Sequence, residues 1–392
     1  MRILVVHNYY QQSGGEDAVV AEEIALLERN DIAVELYAKH NDSIETMSRA
    51  QIALETLWST KSADEVSAVI KRFKPDVIHT HNTFPLISPS LYYAAARMNV
   101  PVVQTLHNFR LFCAQAMFMR DGKVCEDCLG KLAWRGVLHG CYRGSKIQSA
   151  AVVSMQGLHR MLGTYQNKVT RYIALNQFCS DKFIEAGLPK ARMSIKPNFI
   201  DLPQLENNDT QLRQGGLFVG RLSKEKGLAT LAEAATIYSD AHIDVVGVGP
   251  EEHMLTNNQN INLNGWQVPA EIYAHMRSAS YLIMPSIWYE NFPRTLVEAF
   301  ACGLPVIASR LGAMAELIND GITGLLFEPG NAKDLADKLR WADQHPAEML
   351  NMGRQARHEY DAKYTSAINF KQLMEIYQDA INAHSEIKIQ VA

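Results

Sequence analysis

Short apolar segments alternate with amphipathic segments along the chain, and this alternation occurs twice. In the first half, the apolar runs have the length and the β-branched content of buried strands; they lie at 3–6, 34–38, 77–80, 102–106, 172–175 and 194–196. Val20, Ile24 and Leu27 have helical spacing in a helix predicted from about Asp17, its cap, to Asn30. Strands that alternate with helices predict a parallel sheet covered on both faces.

The pattern restarts after a polar segment, 202–215, which lacks periodicity and is predicted to be a linker. The second set of apolar runs lies at 217–220, 243–247, 261–265, 281–285, 306–309 and 324–328. We therefore predict an α/β protein with two doubly wound, Rossmann-like domains, 1–201 and 216–365, that face each other across a cleft. Ligands are expected beyond the carboxyl ends of the strands.

Composition limits the class of protein. The chain has 392 residues, of which 47% are hydrophobic and 20% charged, values typical of a soluble enzyme. It contains no apolar run of about 18 residues, and its first ten residues turn polar too soon for a signal peptide, so a cytoplasmic protein is expected. The net charge of -4 disfavours a nucleic-acid partner.

One stretch departs from this acidic balance. Residues 129–171 contain seven Lys or Arg residues and no Asp or Glu, with Trp134, Leu138 and Tyr142 among the cations. This composition suits peripheral contact with an anionic membrane, at the inner face of the cell membrane. A solvated basic face is the alternative, and the sequence does not decide between them.

Two carboxylates, Glu290 and Glu298, bracket a turn that contains Pro293, between an apolar strand and a helix. The N–H groups at a helix N-terminus can hold a pyrophosphate. Glu298, at a rise of about 1.5 Å per residue, would lie close enough to reach a ribose beside that phosphate. Glu290 would face the opposite end of the ligand. The layout predicts a ligand with a nucleoside end and a sugar end.

The segment 290–298, ENFPRTLVE, and its continuation to residue 309 closely resemble the E-x7-E signature of retaining glycosyltransferases of family 4, which have the GT-B fold. The resemblance extends over nearly the whole chain, through GG at 14–15, LHN at 106–108, KPNFID at 196–201, FVGRLSKEKG at 218–227 and VVGVGP at 245–250. It implies that the first domain binds the acceptor and the second the nucleotide sugar, and that the segment 366–392 packs back on the first domain.

The resemblance also implies a reaction. A hexose would pass from a UDP- or GDP-sugar to a glycan or polyprenyl-linked acceptor, with retention, in the biosynthesis of a bacterial surface polysaccharide such as O-antigen, capsule or exopolysaccharide. The sequence does not choose between the two nucleotides. No Asp-x-Asp occurs in the chain, so the leaving diphosphate is expected to be stabilised by cations and N–H groups without a catalytic metal. No cofactor other than the donor is expected.

These expectations assign residues to roles. Glu290, His107, Arg221 and Lys226 form the predicted catalytic set: Glu290 positions the donor sugar, His107 contacts it near the reaction centre, and the two cations meet the diphosphate. The predicted donor-binding residues are Gly15, Gly247, Gly249, Asn291, Phe292, Thr295, Leu296 and Glu298, with backbone amides supplying most of the contacts. An acceptor-side role is assigned to His81, Asn82 and Asn198, with His79 beside them, and Asn198 is also taken as a hinge or cleft residue.

Four cysteines, Cys113, Cys125, Cys128 and Cys141, follow the spacing C-x11-C-x2-C-x12-C. Four thiols with one C-x2-C pair can bind structural zinc, and a reducing cytoplasm disfavours disulfides. The alternative is that they are small packing residues in a loop-rich insertion.

Three other functions remain open from the sequence. A GT-B epimerase or hydrolase of a nucleotide sugar would need no acceptor. A glycogen phosphorylase-like enzyme would need pyridoxal phosphate. A sensor or scaffold would bind a nucleotide sugar without turnover.

Overall fold

The computed structural model describes residues 1–12, 14–202 and 213–391, and side chains to residue 386. Most of the predicted linker, 203–212, therefore lies outside the described residues. The chain forms two compact units. The first contains 1–118, 126–197 and 369–392, and the second contains 119–125 and 198–368. Within the described ranges, no helix has the length and apolarity needed to cross a membrane.

The first unit is built on a parallel sheet of six strands. Its strands are β1 (Arg2–Tyr9), β2 (Ala33–His40), β3 (Val77–Asn82), β4 (Val102–Thr105), β7 (Arg171–Ala174) and β8 (Met193–Ile195). Two short strands, β5 (Met119–Arg120) and β6 (Lys123–Val124), form a separate antiparallel hairpin in the segment 119–125, which belongs to the second unit. The sheet order is β2-β1-β3-β4-β7-β8. Because the chain starts near the middle and builds outward in both directions, this is a doubly wound sheet.

Helices cover this sheet. They are α1 (Gly15–Arg29), α2 (Arg49–Leu57), α3 (Thr60–Phe73), α4 (Ser90–Arg97), α5 (Trp134–Leu138), α6 (Lys146–Met161), α7 (Thr164–Asn167) and α8 (Gln177–Glu185). The predicted cap of α1 was wrong. The helix begins at Gly15, and Asp17 lies in its first turn, where its carboxylate accepts a hydrogen bond from the Gly14 N–H at 3.2 Å. An acidic residue in that position binds back to the cap backbone, so the acidic cluster itself marked the first turn.

The second unit repeats the arrangement. Its strands are β9 (Gly216–Val219), β10 (Ile243–Val246), β11 (Ile261–Leu263), β12 (Tyr281–Met284), β13 (Val306–Ser309) and β14 (Gly324–Phe327), all parallel, in the order β11-β10-β9-β12-β13-β14. Its helices are α9 (Leu228–Ile237), α10 (Pro269–Ser278), α11 (Arg294–Ala301), α12 (Gly312–Leu317), α13 (Ala332–Gln344) and α14 (Pro346–Lys363). The two parallel sheets confirm the predicted α/β class.

The last helix, α15 (Ser366–Val391), belongs to the core of the first unit from residue 369 onward. Its buried residues join one hydrophobic cluster with four strands of the sheet and with α1; these residues are Leu373, Ile376, Tyr377 and Ala380. Their spacing places them on one face of the helix, toward the sheet. The first unit therefore takes part of its core from the far end of the chain.

Leu373→Ala is expected to destabilise the first unit by about 2–5 kcal/mol, because it empties a fully buried site between helix and sheet. Urea unfolding, followed by a probe in the first unit, measures the change. Glu375→Ala is the matched control on the exposed face of the same helix, with a change of at most about 0.5 kcal/mol. Equal effects of the two substitutions would contradict this packing.

Candidate functional site

In the second unit, the loop after β9 packs against the segment that follows β12. The loop ends in a short 3₁₀ turn, Lys224–Lys226, and Gly227 has a φ of 73°. A Cβ at Gly227 would lie 1.9 Å from the carbonyl oxygen of Pro285, so only glycine allows this approach. The Ile287 N–H donates to the carbonyl of Glu225 at 2.9 Å. These contacts place the end of the loop beside the E-x7-E segment.

The approach brings two of the predicted catalytic residues together. The Nζ atom of Lys226 lies 2.6 Å from Oε1 of Glu290, and the Ser286 hydroxyl donates to the same oxygen at 2.9 Å. The Glu290 side chain is 7% exposed and the Lys226 side chain 24%. A carboxylate in such a site is stabilised by charge and by a hydroxyl donor at once. The sequence assigns Glu290 to the donor sugar and Lys226 to the diphosphate, and it does not predict that the two side chains pair.

Helix α11 begins directly after Pro293, as the sequence predicts. Glu298 lies in this helix with the guanidinium of Arg294 3.9 Å away, one turn earlier. The Leu296 N–H donates to the carbonyl of Pro293 at 3.0 Å, so a ligand would have to replace that bond to use this amide. Phe292 is buried and its ring packs edge-on against Tyr364. Its side chain therefore serves packing, and the predicted amide contacts of Asn291, Phe292, Thr295 and Leu296 stay predictions.

The two other motif glycines of the second unit lie where the loops after β9 and β10 run side by side. A Cβ at Gly247 would lie 1.9 Å from the carbonyl oxygen of Gly220, and one at Gly249 would lie 2.3 Å from that of Leu222. The N–H groups of Gly220 and Leu222 donate across to the second loop at 3.0 Å each. Loop packing thus explains both glycines. Arg221 is exposed to solvent between the two contact points.

In the first unit, the Gly-Gly loop leads into helix α1, with Gly15 as its first residue. Gly14 has an ordinary extended φ of -129°, and a Cβ there would meet nothing within 4 Å. Packing therefore does not require Gly14. The carboxylate of Glu16 accepts hydrogen bonds from the Tyr10 hydroxyl at 3.0 Å and from the Asn108 amide at 3.2 Å. Burial, reinforced by the nearby charge of Asp17, raises the pKa of Glu16 to about 7.

Four histidines meet at the carboxyl ends of β1, β3 and β4: His7, His79, His81 and His107. Nδ1 of His81 lies 2.9 Å from Nε2 of His107. Burial, together with the neighbouring His79, lowers the pKa of His81 to about 3, and burial holds the pKa of His107 well below its usual value. Both imidazoles are therefore neutral near pH 7. His81, Asn82 and His107 line a cavity of about 40 Å³ with Asn108 and Arg110.

Two charged residues that the sequence analysis did not select lie beneath these histidines. Nζ of Lys196 is 3.0 Å from Oε2 of Glu23, and both side chains are at most 3% exposed. Oε1 of Glu23 is 3.0 Å from Nδ1 of His79 and 3.4 Å from Nε2 of His81. Burial alone would raise the pKa of Glu23, but the charge of Lys196 and the contact with His79 hold it well below its usual value.

A signal for both residues was present in the sequence. Glu23 lies one turn from Val20 and Leu27 on the apolar face of α1, where a charged residue needs a partner. Lys196 opens the KPNFID motif, which the resemblance had already marked. Nothing in the sequence, however, pairs residues 173 positions apart.

Asn82 and Asn198 remain acceptor-side predictions. The Asn82 amide donates to the carbonyl of Asn8 at 2.8 Å, and its oxygen accepts the Phe84 N–H at 2.9 Å, so this side chain shapes the loop after β3. Asn198 is buried in the second unit, and within the described residues its Oδ1 atom has no hydrogen-bond donor.

Among the described residues, the predicted zinc ligands do not include three sulfur atoms that lie within 4.8 Å of one another. All four are half-buried. Among the described side chains, the group in which three potential ligand atoms lie within 4.8 Å of one another is Glu23, His79 and His81. The Lys196 ammonium already neutralises Glu23 there, which opposes a second cation. Zinc binding by Cys113, Cys125, Cys128 and Cys141 stays a prediction.

Comparison with solved structures defines the class. The HepE protein of Anabaena, solved in complex with UDP, has a TM-score of 0.66 to this chain at 19% identity, covering 96% of this chain and 99% of that one. At this identity the likeness shows the fold, which is GT-B. Two family models divide the sequence: Glycosyltransferase Family 4 matches residues 13–204, and Glycosyl transferases group 1 matches residues 214–359. The chain belongs to the family 4 glycosyltransferases, as the sequence motifs predicted.

Curated relatives match over shorter segments. An uncharacterised glycosyltransferase of Methanocaldococcus jannaschii is 33% identical over 171 residues, which cover 41% of this chain and 47% of that protein. An amylovoran biosynthesis glycosyltransferase of Erwinia amylovora is 27% identical over 227 residues, covering 53% of this chain and 55% of its own length. The chain thus spans about half the length of these relatives.

Glu16→Gln is expected to change how stability depends on pH. The pKa of Glu16 is about 7 in the folded protein, against a usual value of 4.5, so folding favours the protonated form. The stability that this preference gives is complete below pH 4.5 and is lost as pH rises through 7. The Gln variant should therefore match wild type at pH 4.5 and exceed it at pH 8.

Thermal unfolding between pH 4.5 and 8 measures this difference. Glu28→Gln, an exposed position on the same helix, is the control and should follow wild type throughout. A Glu16→Gln variant that is less stable than wild type at pH 8 would show that the ionised carboxylate is favoured instead.

Proposed function

We propose that this protein is a retaining hexosyltransferase that moves a sugar from a UDP- or GDP-sugar to a glycan or lipid-linked glycan acceptor during bacterial surface polysaccharide biosynthesis. The observation that carries the proposal is the ion pair between Lys226 and Glu290, held against the start of α11. The similarity to an amylovoran biosynthesis glycosyltransferase and to proteins of a Klebsiella pneumoniae cps region supports the polysaccharide context. The UDP bound to HepE supports a nucleotide-sugar donor.

In this proposal, Lys226 serves two anions. Without ligand its ammonium neutralises Glu290; with donor bound, it lies within reach of the diphosphate as well. Negative charge grows on the diphosphate as the glycosidic bond breaks, and a fixed cation stabilises that charge more than the ground state. Arg221, exposed in the same loop after β9, adds a second cation. Glu298 receives the ribose in the helix that follows.

Glu290 is assigned to donor positioning and not to nucleophilic attack. A nucleophilic carboxylate has to approach the anomeric carbon with an available lone pair. Oε1 of Glu290 is already engaged by the Lys226 ammonium and by the Ser286 hydroxyl, which lowers its nucleophilicity. A carboxylate fixed in this way is suited to accept hydrogen bonds from sugar hydroxyls.

The first unit offers uncharged groups for ligand binding. His81 and His107 are uncharged near neutral pH, a state that suits hydroxyl groups better than phosphates. Gly14, which packing does not require, leaves space in front of α1 for a ligand to approach the backbone. We assign Gly15 to this approach, while the carboxylate of Glu16 keeps phosphates at a distance.

The stretch 129–171 is proposed to contact the membrane that carries a lipid-linked acceptor. Several large apolar side chains are more than half exposed there, which is unusual for a solvated surface; they are Leu132, Trp134, Leu138, Ile147 and Met161. They lie among the cations of the stretch, a combination typical of interfacial binding to anionic lipids.

Lys226→Ala is expected to lower kcat by about 100- to 1,000-fold, because it removes stabilisation of the leaving diphosphate. Lys224→Ala is the matched control, an exposed lysine in the same 3₁₀ turn, and should retain activity. Release of nucleotide and formation of glycoside are measured together in the presence of acceptor. Equal activity of both variants would refute the role of Lys226.

The donor is identified by thermal shift against UDP, GDP, ADP and their sugar conjugates, with EDTA present throughout. Stabilisation by one nucleotide family that survives EDTA is the expected result, since binding of the folded state raises the melting temperature. Stabilisation that EDTA abolishes would contradict metal-free binding.

Two other outcomes would favour another function. Nucleotide release in the absence of acceptor would indicate a hydrolase or epimerase. A sensor would show no turnover, and its nucleotide binding would remain intact in Glu290→Ala.

Trp134→Ser combined with Leu138→Ser is expected to reduce binding to vesicles that contain phosphatidylglycerol. The two substitutions remove exposed apolar area from the basic stretch and leave its charge unchanged. Sedimentation with vesicles of anionic and of neutral composition measures the change. Leu350→Ser, an exposed leucine of the second unit, is the control. Wild-type protein that stays in solution with both vesicle types would rule out the membrane contact.

A further inference from the structure

The contact between His81 and His107 requires an ordered proton. Nδ1 of His81 and Nε2 of His107 are 2.9 Å apart, within hydrogen-bond distance. Both imidazoles are neutral, so each has one N–H and one lone pair. One ring therefore donates to the other, and the direction of this bond decides which nitrogen of His107 faces a ligand as an acceptor.

The residues beneath the pair determine that direction. Glu23 is ionised because the buried ammonium of Lys196 lies 3.0 Å from Oε2. An ionised carboxylate can only accept hydrogen bonds. Its other oxygen, Oε1, faces Nδ1 of His79 at 3.0 Å and Nε2 of His81 at 3.4 Å. A lone pair on Nε2 of His81 would face the lone pairs of this carboxylate, so the proton of His81 is placed on Nε2, although the contact does not have the geometry of a hydrogen bond. Nδ1 of His79 lies closer to the Tyr377 hydroxyl, at 2.7 Å, and its protonation does not enter the argument.

The remaining protons follow. With a proton on Nε2, neutral His81 presents a lone pair at Nδ1, so Nε2–H of His107 donates to it. Nδ1 of His107 is then unprotonated and carries a lone pair. Within the described residues it makes no hydrogen bond, and the ring is half-buried at the wall of a cavity of about 40 Å³. Because Nδ1 of His107 can only accept a hydrogen bond, a ligand group that pairs with it in this cavity has to be a hydrogen-bond donor.

We propose that Glu23 and Lys196 are positioning residues that act through His81 to hold His107 in its Nε2–H form, so that Nδ1 accepts a hydrogen bond from a hydroxyl of the sugar. The inference rests on the proposed transferase function for the identity of the ligand, but not for the order of the protons. Phosphate oxygens, which only accept hydrogen bonds when ionised, are excluded from this position. The histidine thus selects the hydroxyl-bearing part of the donor.

A carboxylate that fixes an imidazole tautomer from behind is a known way to control a site at a distance. Here the imidazole of His81 lies between the Glu23 carboxylate and His107, and the buried Lys196 keeps that carboxylate ionised. The network has a second branch, in which Nε2 of His79 lies 2.8 Å from the Thr105 hydroxyl, within hydrogen-bond distance. That branch does not lead to His107, and it therefore supplies a control.

The test is the tautomer of His107, measured by long-range ¹H–¹⁵N correlation on the full chain with ¹⁵N-labelled histidine. The signals of His107 are assigned by their loss in His107→Gln. Wild type is expected to show a protonated Nε2 and an unprotonated Nδ1 between pH 6 and 8. A protonated Nδ1, or an imidazolium in that range, would overturn the proposal.

Glu23→Gln removes the fixed acceptor and is expected to populate the Nδ1–H form of His107. This variant leaves the Lys196 ammonium buried without its counter-ion, which destabilises the fold. A second variant, Glu23→Gln with Lys196→Met, therefore removes both charges at similar side-chain volume, so that the protein folds without a buried unpaired charge. The double variant should show the same mixed tautomers. His107 that stays entirely in the Nε2–H form in the folded double variant would overturn the role of Glu23.

Kinetics separates positioning from general stability. Both Glu23 variants are expected to lose roughly 10- to 100-fold in kcat/KM for the donor, the loss typical of a buried hydrogen bond left unmade. Thr105→Val, equally buried in the same network, should lower the melting temperature and leave the tautomer and kcat/KM near wild type. An equal kinetic loss in Thr105→Val would reduce Glu23 to a structural residue. If His107 is in its Nε2–H form but the protein has no transferase activity, the proposed function is refuted, whereas the proposed positions of the protons in the network are not.

Discussion

The buried ion pair between Lys196 and Glu23 is the interaction on which the first unit most depends. A buried pair is stable only if its geometry is good and its remaining hydrogen bonds are satisfied, and loss of one partner costs about 3–5 kcal/mol. Lys196 also donates to the side chain of Asn369 at 3.2 Å, and the Asn369 amide donates to the carbonyl of Pro197 at 2.6 Å. The pair thus joins the point where the chain leaves the first unit to the point where it returns.

This location has a consequence for folding. Glu23 lies in the first helix of the chain and Asn369 in the last, so the polar network is complete only when both ends of the sequence are in place. The hydrophobic cluster beneath it has the same requirement, because α15 supplies part of that core. Contacts of such high sequence separation form late and with a large loss of chain entropy. The histidine network is therefore complete only when the whole first unit has folded, and no local segment can form it alone.

The sequence predicted the two sheets and the motif that begins α11, because both depend on local patterns: strand periodicity, a turn with Pro293 and a helix start. It did not predict the pairing of Lys226 with Glu290, since that contact depends on how closely Gly227 lets one loop approach Pro285. It also missed Glu23: the position of this residue on the apolar face of α1 could be recognised from the spacing, but its pairing with Lys196, 173 residues away, could not. Burial of a charge is a property of the assembled sheet and helices, and a single sequence gives no measure of it.

The charged groups of the two units differ in how far they are exposed to a ligand. In the second, the partly exposed ammonium of Lys226 and the buried carboxylate of Glu290 neutralise each other. In the proposed function, the diphosphate of the donor would share this cation without leaving a buried charge unpaired. In the first, the charged pair is kept beneath the surface and only neutral imidazole is offered at the cavity wall. A neutral acceptor gives little attraction to phosphate but full hydrogen-bond selectivity for hydroxyl groups. In the proposed function, the groups of the second unit would act by charge and those of the first unit by the direction of a hydrogen bond.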